Sequence, residues 1–295
     1  MILSTAEFCA LGCALIWAIN ALLLRTLAQQ IAATTINAVR CGAAGLAFLL
    51  VMPFDAPLSS LAAVPWTEWG LLLVSLTAGL VIGDTLYLVA LREIGVSRAM
   101  PLSGTFPLST LFFERLLLGT PLRPSLLAGS LLVGVGVVLL AWGRAPTPTV
   151  SAPPARLLRG TLCALTASLL WGLAVTLLKP AIVHLTMVQA NAARMPVVAL
   201  LLYVFVLRPS GRQPLKSLTR ANWLLLVGSG LSGMGLGAYL FLTALSQIGP
   251  AKAVTLTSAS PVFGVALAVL FLQEKVNTRA LAGAACCLAG VYVVL

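Results

Sequence analysis

The sequence predicts an all-α polytopic membrane protein with ten transmembrane helices, arranged as two inverted five-helix repeats. Three observations lead to this prediction. Hydrophobic residues make up 60% of the 295 residues and charged residues only 8%, whereas soluble domains carry about 25% charged residues. Ten apolar runs are long enough to cross a bilayer as helices. The first half of the chain also aligns with the second half without a gap.

The duplication appears at one constant offset of 154 residues, the difference between 171 and 17. The residues that coincide include Trp17 with Trp171, Asn37 with Asn191, Arg40 with Arg194, Gly83 with Gly237, Gly95 with Gly249, Pro107 with Pro261 and Gly129 with Gly283. In a membrane chain, an internal repeat is typical of two half-units placed around a central pathway.

The apolar runs give the expected positions of the spans. They lie near residues 8–25, 33–52, 69–91, 96–118, 125–142, 158–178, 187–207, 223–245, 251–272 and 279–295. Each repeat holds five, and because five is odd, the second repeat must enter the membrane from the opposite side. Residues 143–156 are rich in proline and too polar to span, so we predict a linker between repeats at 1–142 and 157–295.

The net charge of +11 raises the question of an acidic partner. Most basic residues lie between apolar runs, which favours anionic lipid headgroups and argues against nucleic acid. Loops after odd-numbered spans hold most of the Arg and Lys, with residues 208–220 the most basic, whereas residues 53–68 contain none. By the positive-inside rule this pattern places both termini outside the cell.

Each repeat places an Asn-x-x-Arg early in its second span, ending at Arg40 and at Arg194. An arginine at that depth costs at least ~2–3 kcal/mol unless it meets water or a partner. Asp84 in the third span lies at a depth similar to Arg40, so we expect the two to pair. The counterpart of Asp84 is Ala238, which leaves Arg194 without an equivalent carboxylate.

Two interpretations of these groups stay open. Arg194, with Asn191 beside it in the motif, either binds a substrate carboxylate or phosphate or clamps backbone carbonyls at a helix end. Asp84 is either the static partner of Arg40 or a proton-sensitive coupling group.

The fourth and ninth spans begin with matching segments at residues 101–107 and 255–261, rich in proline and hydroxyl groups. Such residues loosen a helix and free carbonyls, and their occurrence in both repeats predicts a midplane site. Kinks absorbed by helix packing are the alternative. The candidate cavity residues are the aromatic Trp17, Tyr87, Trp171 and Tyr239 and the hydroxyl-bearing Ser103, Thr105, Thr257 and Ser260. For the aromatic residues, simple packing is the alternative.

The sequence holds no recognisable catalytic, metal or cofactor site. The six cysteines lie inside apolar runs without a ligand pattern, and His184 is the single histidine. No nucleotide-binding motif occurs, which excludes transport driven directly by ATP within this chain. We therefore expect no enzyme activity and no cofactor.

The pattern as a whole resembles the EamA-type branch of the drug/metabolite transporter superfamily. The features that carry the resemblance are the tryptophan in the first span of each repeat, the Asn-x-x-Arg motifs, Ala-Leu-x-x-Ile-Gly at residues 90–95 and 244–249, and Ser-Pro-Val-Phe followed by Leu-Phe-Leu-Gln-Glu across residues 260–274. A departure is Gly119-Thr120, where members of the family commonly have Gly-Glu. The resemblance implies a secondary carrier of small metabolites, often amino acids, most often a bacterial exporter. It also implies cytoplasmic termini, against the distribution of charge.

We therefore expect a secondary transporter of amino acids or related amphoteric solutes in the inner membrane, working by alternating access around a central cavity. The alternatives are a flippase for lipids or lipid-linked intermediates, an assembly subunit without transport, and a membrane enzyme. The expected partners are a small-molecule substrate and the bilayer. Glycine-rich faces in spans five and ten are suited either to joining the repeats or to forming a homodimer.

Overall fold

The computed structural model describes residues 3–24, 27, 31–142, 153–207, 218–272 and 277–295. Across these ranges the regular structure is helical and contains no β-strand. Eight of the described helices are long and apolar enough to cross a membrane. The chain is thus a multi-pass membrane protein, and the all-α prediction is confirmed.

We number twelve helices in this part of the chain, six in each repeat. The first repeat holds α1 (Thr5–Leu24), α2 (Ala33–Asp55), α3 (Trp66–Ile94), α4 (Val96–Ser103), α5 (Phe106–Leu118) and α6 (Pro124–Trp142). The second holds α7 (Pro154–Ala181), α8 (Met187–Leu202), α9 (Arg220–Ile248), α10 (Pro250–Thr257), α11 (Ser260–Leu272) and α12 (Thr278–Val294). A 3₁₀ helix, Leu58–Ala63, lies between α2 and α3.

The predicted breaks in the fourth and ninth spans are present. Gly104 and Thr105 separate α4 from α5, and Ser258 and Ala259 separate α10 from α11. Pro107 falls in the first turn of α5, where a missing N–H costs no helical hydrogen bond. The eight membrane-crossing helices include α10 and α11 as one stretch, Pro250–Phe271. They do not include the broken fourth span or the shorter α12, so the count of ten spans stays a prediction.

Helix α7 begins at Pro154, inside the range predicted as a linker. Residues 143–152 of that linker lie outside the described residues. So do residues 208–217 of the basic loop and Gln273-Glu274.

Helices α6 and α12 pack against each other in antiparallel directions. A methyl group added at Gly129 would lie 2.7 Å from the carbonyl oxygen of Gly290, and one added at Gly136 would lie 2.6 Å from that of Gly283. At the offset of 154, Gly283 is the counterpart of Gly129 and Gly290 that of Gly136. Each glycine therefore contacts the counterpart of the other, as a two-fold axis perpendicular to the helices requires.

Helices α2 and α8 repeat this relation. Gly42 approaches the methyl of Ala199, and Gly45 packs directly on Pro196. These contacts again exchange counterparts, since Pro196 corresponds to Gly42 and Ala199 to Gly45. A second repeat inserted in the same sense would have placed Gly42 beside Pro196, so the contacts agree with inverted repeats.

The first helix of each repeat packs into the other repeat. Helix α1 contacts α9, α10 and α11, while its counterpart α7 contacts α3, α4 and α5. The exchange interlocks the two repeats, and it places both tryptophans of the first spans at the interface between them.

The close approach of α6 and α12 leads to a stability prediction. Gly136→Ala forces the added methyl against Gly283, and overpacking of this kind costs about 1–3 kcal/mol. Gly134→Ala is the matched control, because the nearest atom to its added methyl is the Gly104 carbonyl oxygen at 3.8 Å. Thermal unfolding in detergent should show a lower midpoint for Gly136→Ala alone. Equal midpoints for the two variants would contradict this packing.

Candidate functional site

The interior between the repeats is built around two segments of π-helix. They occupy Thr77–Gly83 in α3 and Gly230–Gly237 in α9, which are equivalent stretches of the two repeats. Wide turns of this kind are rare and often lie at functional sites. Each segment ends at a glycine that leaves room for an indole: a methyl at Gly83 would lie 3.0 Å from Trp171, and one at Gly237 2.8 Å from Trp17.

Asp84 follows the first π segment and joins three helices. It accepts a hydrogen bond from Nε1 of Trp171 on α7 at 2.8 Å, and one from Nδ2 of Asn37 on α2 at 3.2 Å. The expected direct ion pair with Arg40 is not formed; Arg40 acts on Asp84 only through a longer-range electrostatic interaction. The expectation rested on depth in the membrane alone. In the structure the donors to the carboxylate are Trp171 and Asn37.

In the second repeat, Ala238 stands where Asp84 would be, and the tryptophan finds another acceptor. Nε1 of Trp17 donates to the carbonyl oxygen of Gly233 at 3.1 Å, inside the second π segment. The two tryptophans are therefore equivalent in position but bond to a carboxylate in one case and to the backbone in the other.

Aromatic rings pack on both tryptophans. Tyr87 lies 5.2 Å from Trp171 between ring centroids, and Phe241, the counterpart of Tyr87, lies 5.6 Å from Trp17. Tyr239 lies on the exposed side of α9, the side that also carries Leu236, and its role as a cavity wall stays a prediction. In the repeat register the counterpart of Tyr87 is Phe241 and not Tyr239.

Arg40 lies against the second π segment. The glycine at 233 makes room for it, since a methyl there would lie 2.6 Å from Nη2 of Arg40 and 3.0 Å from the side chain of Asn20. Asn20 in turn donates to Ser232 at 3.1 Å. Sequence reasoning missed Asn20 and Ser232, whose counterparts are Ala174 and Ala78, because it searched for residues that both repeats share.

Arg194 and Asn191 are more deeply enclosed than their counterparts. Arg194 is 7% exposed and Asn191 0%, whereas Arg40 and Asn37 are half-buried. Cys41, next to Arg40, is buried. The two Asn-x-x-Arg motifs thus differ in enclosure, and that of the first repeat is the more exposed.

The hydroxyl groups of the broken segments bond mainly to the helices that carry them. Ser103 donates to Met100, Thr105 to Leu102, and Thr257 to Ala253 and Val254. Thr105 also bonds Ser168 on α7 at 2.8 Å. Ser260 is half-buried at the start of α11. Three of these hydroxyl groups therefore bond to backbone carbonyls within about one turn of their own position, and a role of the four residues in binding substrate stays a prediction.

The two membrane faces differ in how the repeats meet. We call the side where α1 and α3 end and α7 and α9 begin the basic face, and the other side the sealed face. At the sealed face, four carboxylates of the first repeat reach the second: Glu7 to Lys252 at 2.6 Å, Glu114 to the amide of Ala251 at 2.8 Å, Glu68 to His184 and Asp55 to Thr186. Ser60 adds a contact to Gln189 at 2.8 Å.

Glu114 and Arg115 are adjacent in sequence but bond to different partners. Glu114 is 6% exposed and accepts from Ala251 in the first turn of α10, where a carboxylate complements the helix dipole. Arg115 donates to the carbonyl of Gly119. At the basic face, the ion pairs among the described residues join Glu93 to Arg156 and Arg159, at 3.9 and 3.6 Å.

Comparison with known proteins agrees with this architecture. The family model for EamA-like transporters matches residues 4–142 and 158–295. An uncharacterised transporter of Archaeoglobus fulgidus is 28% identical over 280 residues, covering 93% of this chain and 92% of that protein. The crystal structure of another protein superposes on this chain with a TM-score of 0.80 at 22% sequence identity. The match covers 99% of this chain and 97% of that one. With both repeats matched, the chain belongs to the EamA-like transporter family.

Proposed function

We propose that the protein is a secondary transporter of amino acids or related amphoteric solutes, which it carries by alternating access between the two repeats. The observation that supports this most directly is the unequal exposure of equivalent residues. Asn37, Arg40, Asp84 and Tyr87 are half-buried, whereas their counterparts Asn191, Arg194, Ala238 and Phe241 are buried. We infer from this difference a polar interior that opens toward the basic face and is closed toward the sealed face. Such a state is one of the two that an alternating-access carrier adopts.

The composition of the interior fits a small amphoteric solute. It offers positive charge at Arg40 and Arg194, negative charge at Asp84, and an aromatic surface at Tyr87 and Trp171. These groups suit a molecule with both charged and apolar parts. We propose Trp17, Ser103, Thr105, Thr257 and Ser260 as further residues of the pathway, and Asn191 beside Arg194.

For the setting of this activity we propose an exporter in the bacterial inner membrane that needs no cofactor and works as a monomer or homodimer, in which residues 1–142 and 157–295 are the moving units. The resemblance to the family supports this proposal. Helices α6 and α12 bury their glycine faces against each other, so a homodimer would form through other surfaces.

A second candidate function has one observation in its favour. A shallow apolar groove of about 480 Å³ lies between α1 and α9, lined by Leu23, Ala221, Leu224, Leu225, Gly228 and Ser229. A groove open to the bilayer is what a lipid flippase needs. Flux of water-soluble amino acids separates the two functions, since a flippase would move a fluorescent lipid analogue and no amino acid.

Counterflow in proteoliposomes tests the main proposal. Liposomes loaded with an amino-acid mixture should accumulate at least one labelled amino acid against a protein-free control. Absence of flux for every component, with the protein folded, would contradict the proposal.

Asp84→Ala should reduce this flux at least tenfold. The substitution leaves Trp171 and Asn37 without their shared acceptor, and an unsatisfied buried donor costs about 1–3 kcal/mol. Glu93→Ala is the control, because its exposed ion pairs contribute about 0–1 kcal/mol. Retained flux in Asp84→Ala would show that the carboxylate has no part in transport.

Loss of a contact at the sealed face should favour the state that is open at that face. A hydrogen bond to a charged group contributes about 1.5–3 kcal/mol, so Glu114→Ala should raise the population open to the sealed face about tenfold or more. The measurement is labelling of an Ala238→Cys variant by a membrane-impermeant maleimide in oriented vesicles. Arg115→Ala, which removes only a bond within the first repeat, should leave the rate unchanged. Equal rates in both backgrounds would rule out a closing role for Glu114.

A further inference from the structure

Buried polar atoms without a partner are concentrated at the Asn-x-x-Arg motifs. Among the described residues, four such atoms occur: Oγ1 of Thr35, Nε of Arg40, Oδ1 of Asn191 and Nε of Arg194. Proteins rarely leave buried polar atoms unsatisfied, and each exception calls for a physical reason. Three of these four belong to the two motifs.

Arg194 and Asn191 present a donor and an acceptor side by side. They lie one turn apart on α8, where side chains three residues apart are neighbours about 5–6 Å apart at Cβ. The amide nitrogen of Asn191 donates to Met187 at 2.9 Å, which holds the amide in place. Its oxygen then remains as an acceptor next to the guanidinium nitrogen of Arg194.

No carboxylate of the described chain neutralises Arg194. Glu7, Asp55, Glu68 and Glu114 bond across the sealed face, Glu93 pairs at the basic face, and Asp84 is bonded by Trp171 and Asn37. A buried guanidinium without a counter-ion is costly in a membrane interior, and a bound anionic group would remove this cost.

The structural alternative for Arg194 is a clamp on backbone carbonyls. Arg115 shows what such a clamp looks like in this chain, with Nη1 donating to the Gly119 carbonyl at 3.1 Å. Among the described residues no hydrogen bond from Arg194 to a backbone carbonyl occurs, and its Nε is buried without a partner. Its fork is therefore left for a group that is not part of the protein.

We propose that Arg194 and Asn191 recognise the head group of the substrate, with Arg194 binding its carboxylate and Asn191 accepting from a donor on the adjacent carbon. This inference rests on the proposed function and narrows it: the carboxylate is required, and the donor is an ammonium or hydroxyl group. The pair is enclosed in this state, so a solute entering from the basic face meets Asn37 and Arg40 first.

Matched probes that differ only at the head group test the inference. Thermal unfolding of the purified protein is followed with L-leucine against L-leucinamide, and with L-phenylalanine against L-phenylalaninamide, in titrations. Any acid that stabilises the wild type should do so at concentrations ten- to a hundredfold below its amide, as expected when a bond between charged groups is lost. The same acid should show weaker binding to Arg194→Gln and to Arg194→Lys, which keeps the charge but loses the planar fork.

The controls and outcomes distinguish the head-group inference from the proposed transport function on which it rests. Arg115→Gln should keep the wild-type response, and Asn191→Ala should weaken both members of a pair, since both carry the ammonium group. Equal responses to acid and amide, or an unchanged response in a folded Arg194→Gln, would overturn the head-group site while leaving transport intact. No response to any probe, together with no counterflow of amino acids, would overturn both.

Discussion

The pairing of the repeats about a pseudo-two-fold axis is the constraint on which the rest of the structure depends. The closest helix contacts between them recur with exchanged partners: Gly129 on Gly290 matches Gly283 on Gly136. Between α6 and α12 glycine stands at both copies, whereas between α2 and α8 Gly42 and Gly45 meet Ala199 and Pro196. Because α1 and α7 pack into the opposite repeat, the repeats cannot separate without exposing these helices.

The two repeats differ in the carboxylates that join them. The carboxylates of the sealed face, Glu7, Asp55, Glu68 and Glu114, correspond to Thr161, Pro209, Asn222 and Ala268, so the second repeat supplies no equivalent carboxylates to the basic face. Bonds to buried charged groups are worth more than exposed ion pairs such as that of Glu93. Under the proposed alternating access, two chemically identical repeats would make the two states equal in energy, and this difference would favour the state that is closed at the sealed face.

The sequence was sufficient for the architecture because the fold follows from hydropathy, proline placement and the repeat. The broken segments around Thr105 and Ala259 could be predicted, since proline and hydroxyl clusters have local consequences. Trp171 as a partner of Asp84 and Ala251 as the partner of Glu114 could not, because each lies in the other repeat and is reached only through the packing of the two repeats. Reading depth from one repeat alone gave Arg40 as the partner of Asp84, whereas the nearest donors include Trp171 of the other repeat.

The two π segments each lie beside a tryptophan, but the indole nitrogens bond to different acceptors. In α9 the freed carbonyl of Gly233 accepts from Trp17, so that indole is held by the backbone alone. In α3 the equivalent indole, that of Trp171, is held by Asp84, which also binds Asn37 of the accessible motif. The equivalent indoles are therefore held by an ionisable side chain in the first repeat and by the backbone in the second. Under the proposed function, Asp84 is the group through which a bound solute would act on the contact between the repeats.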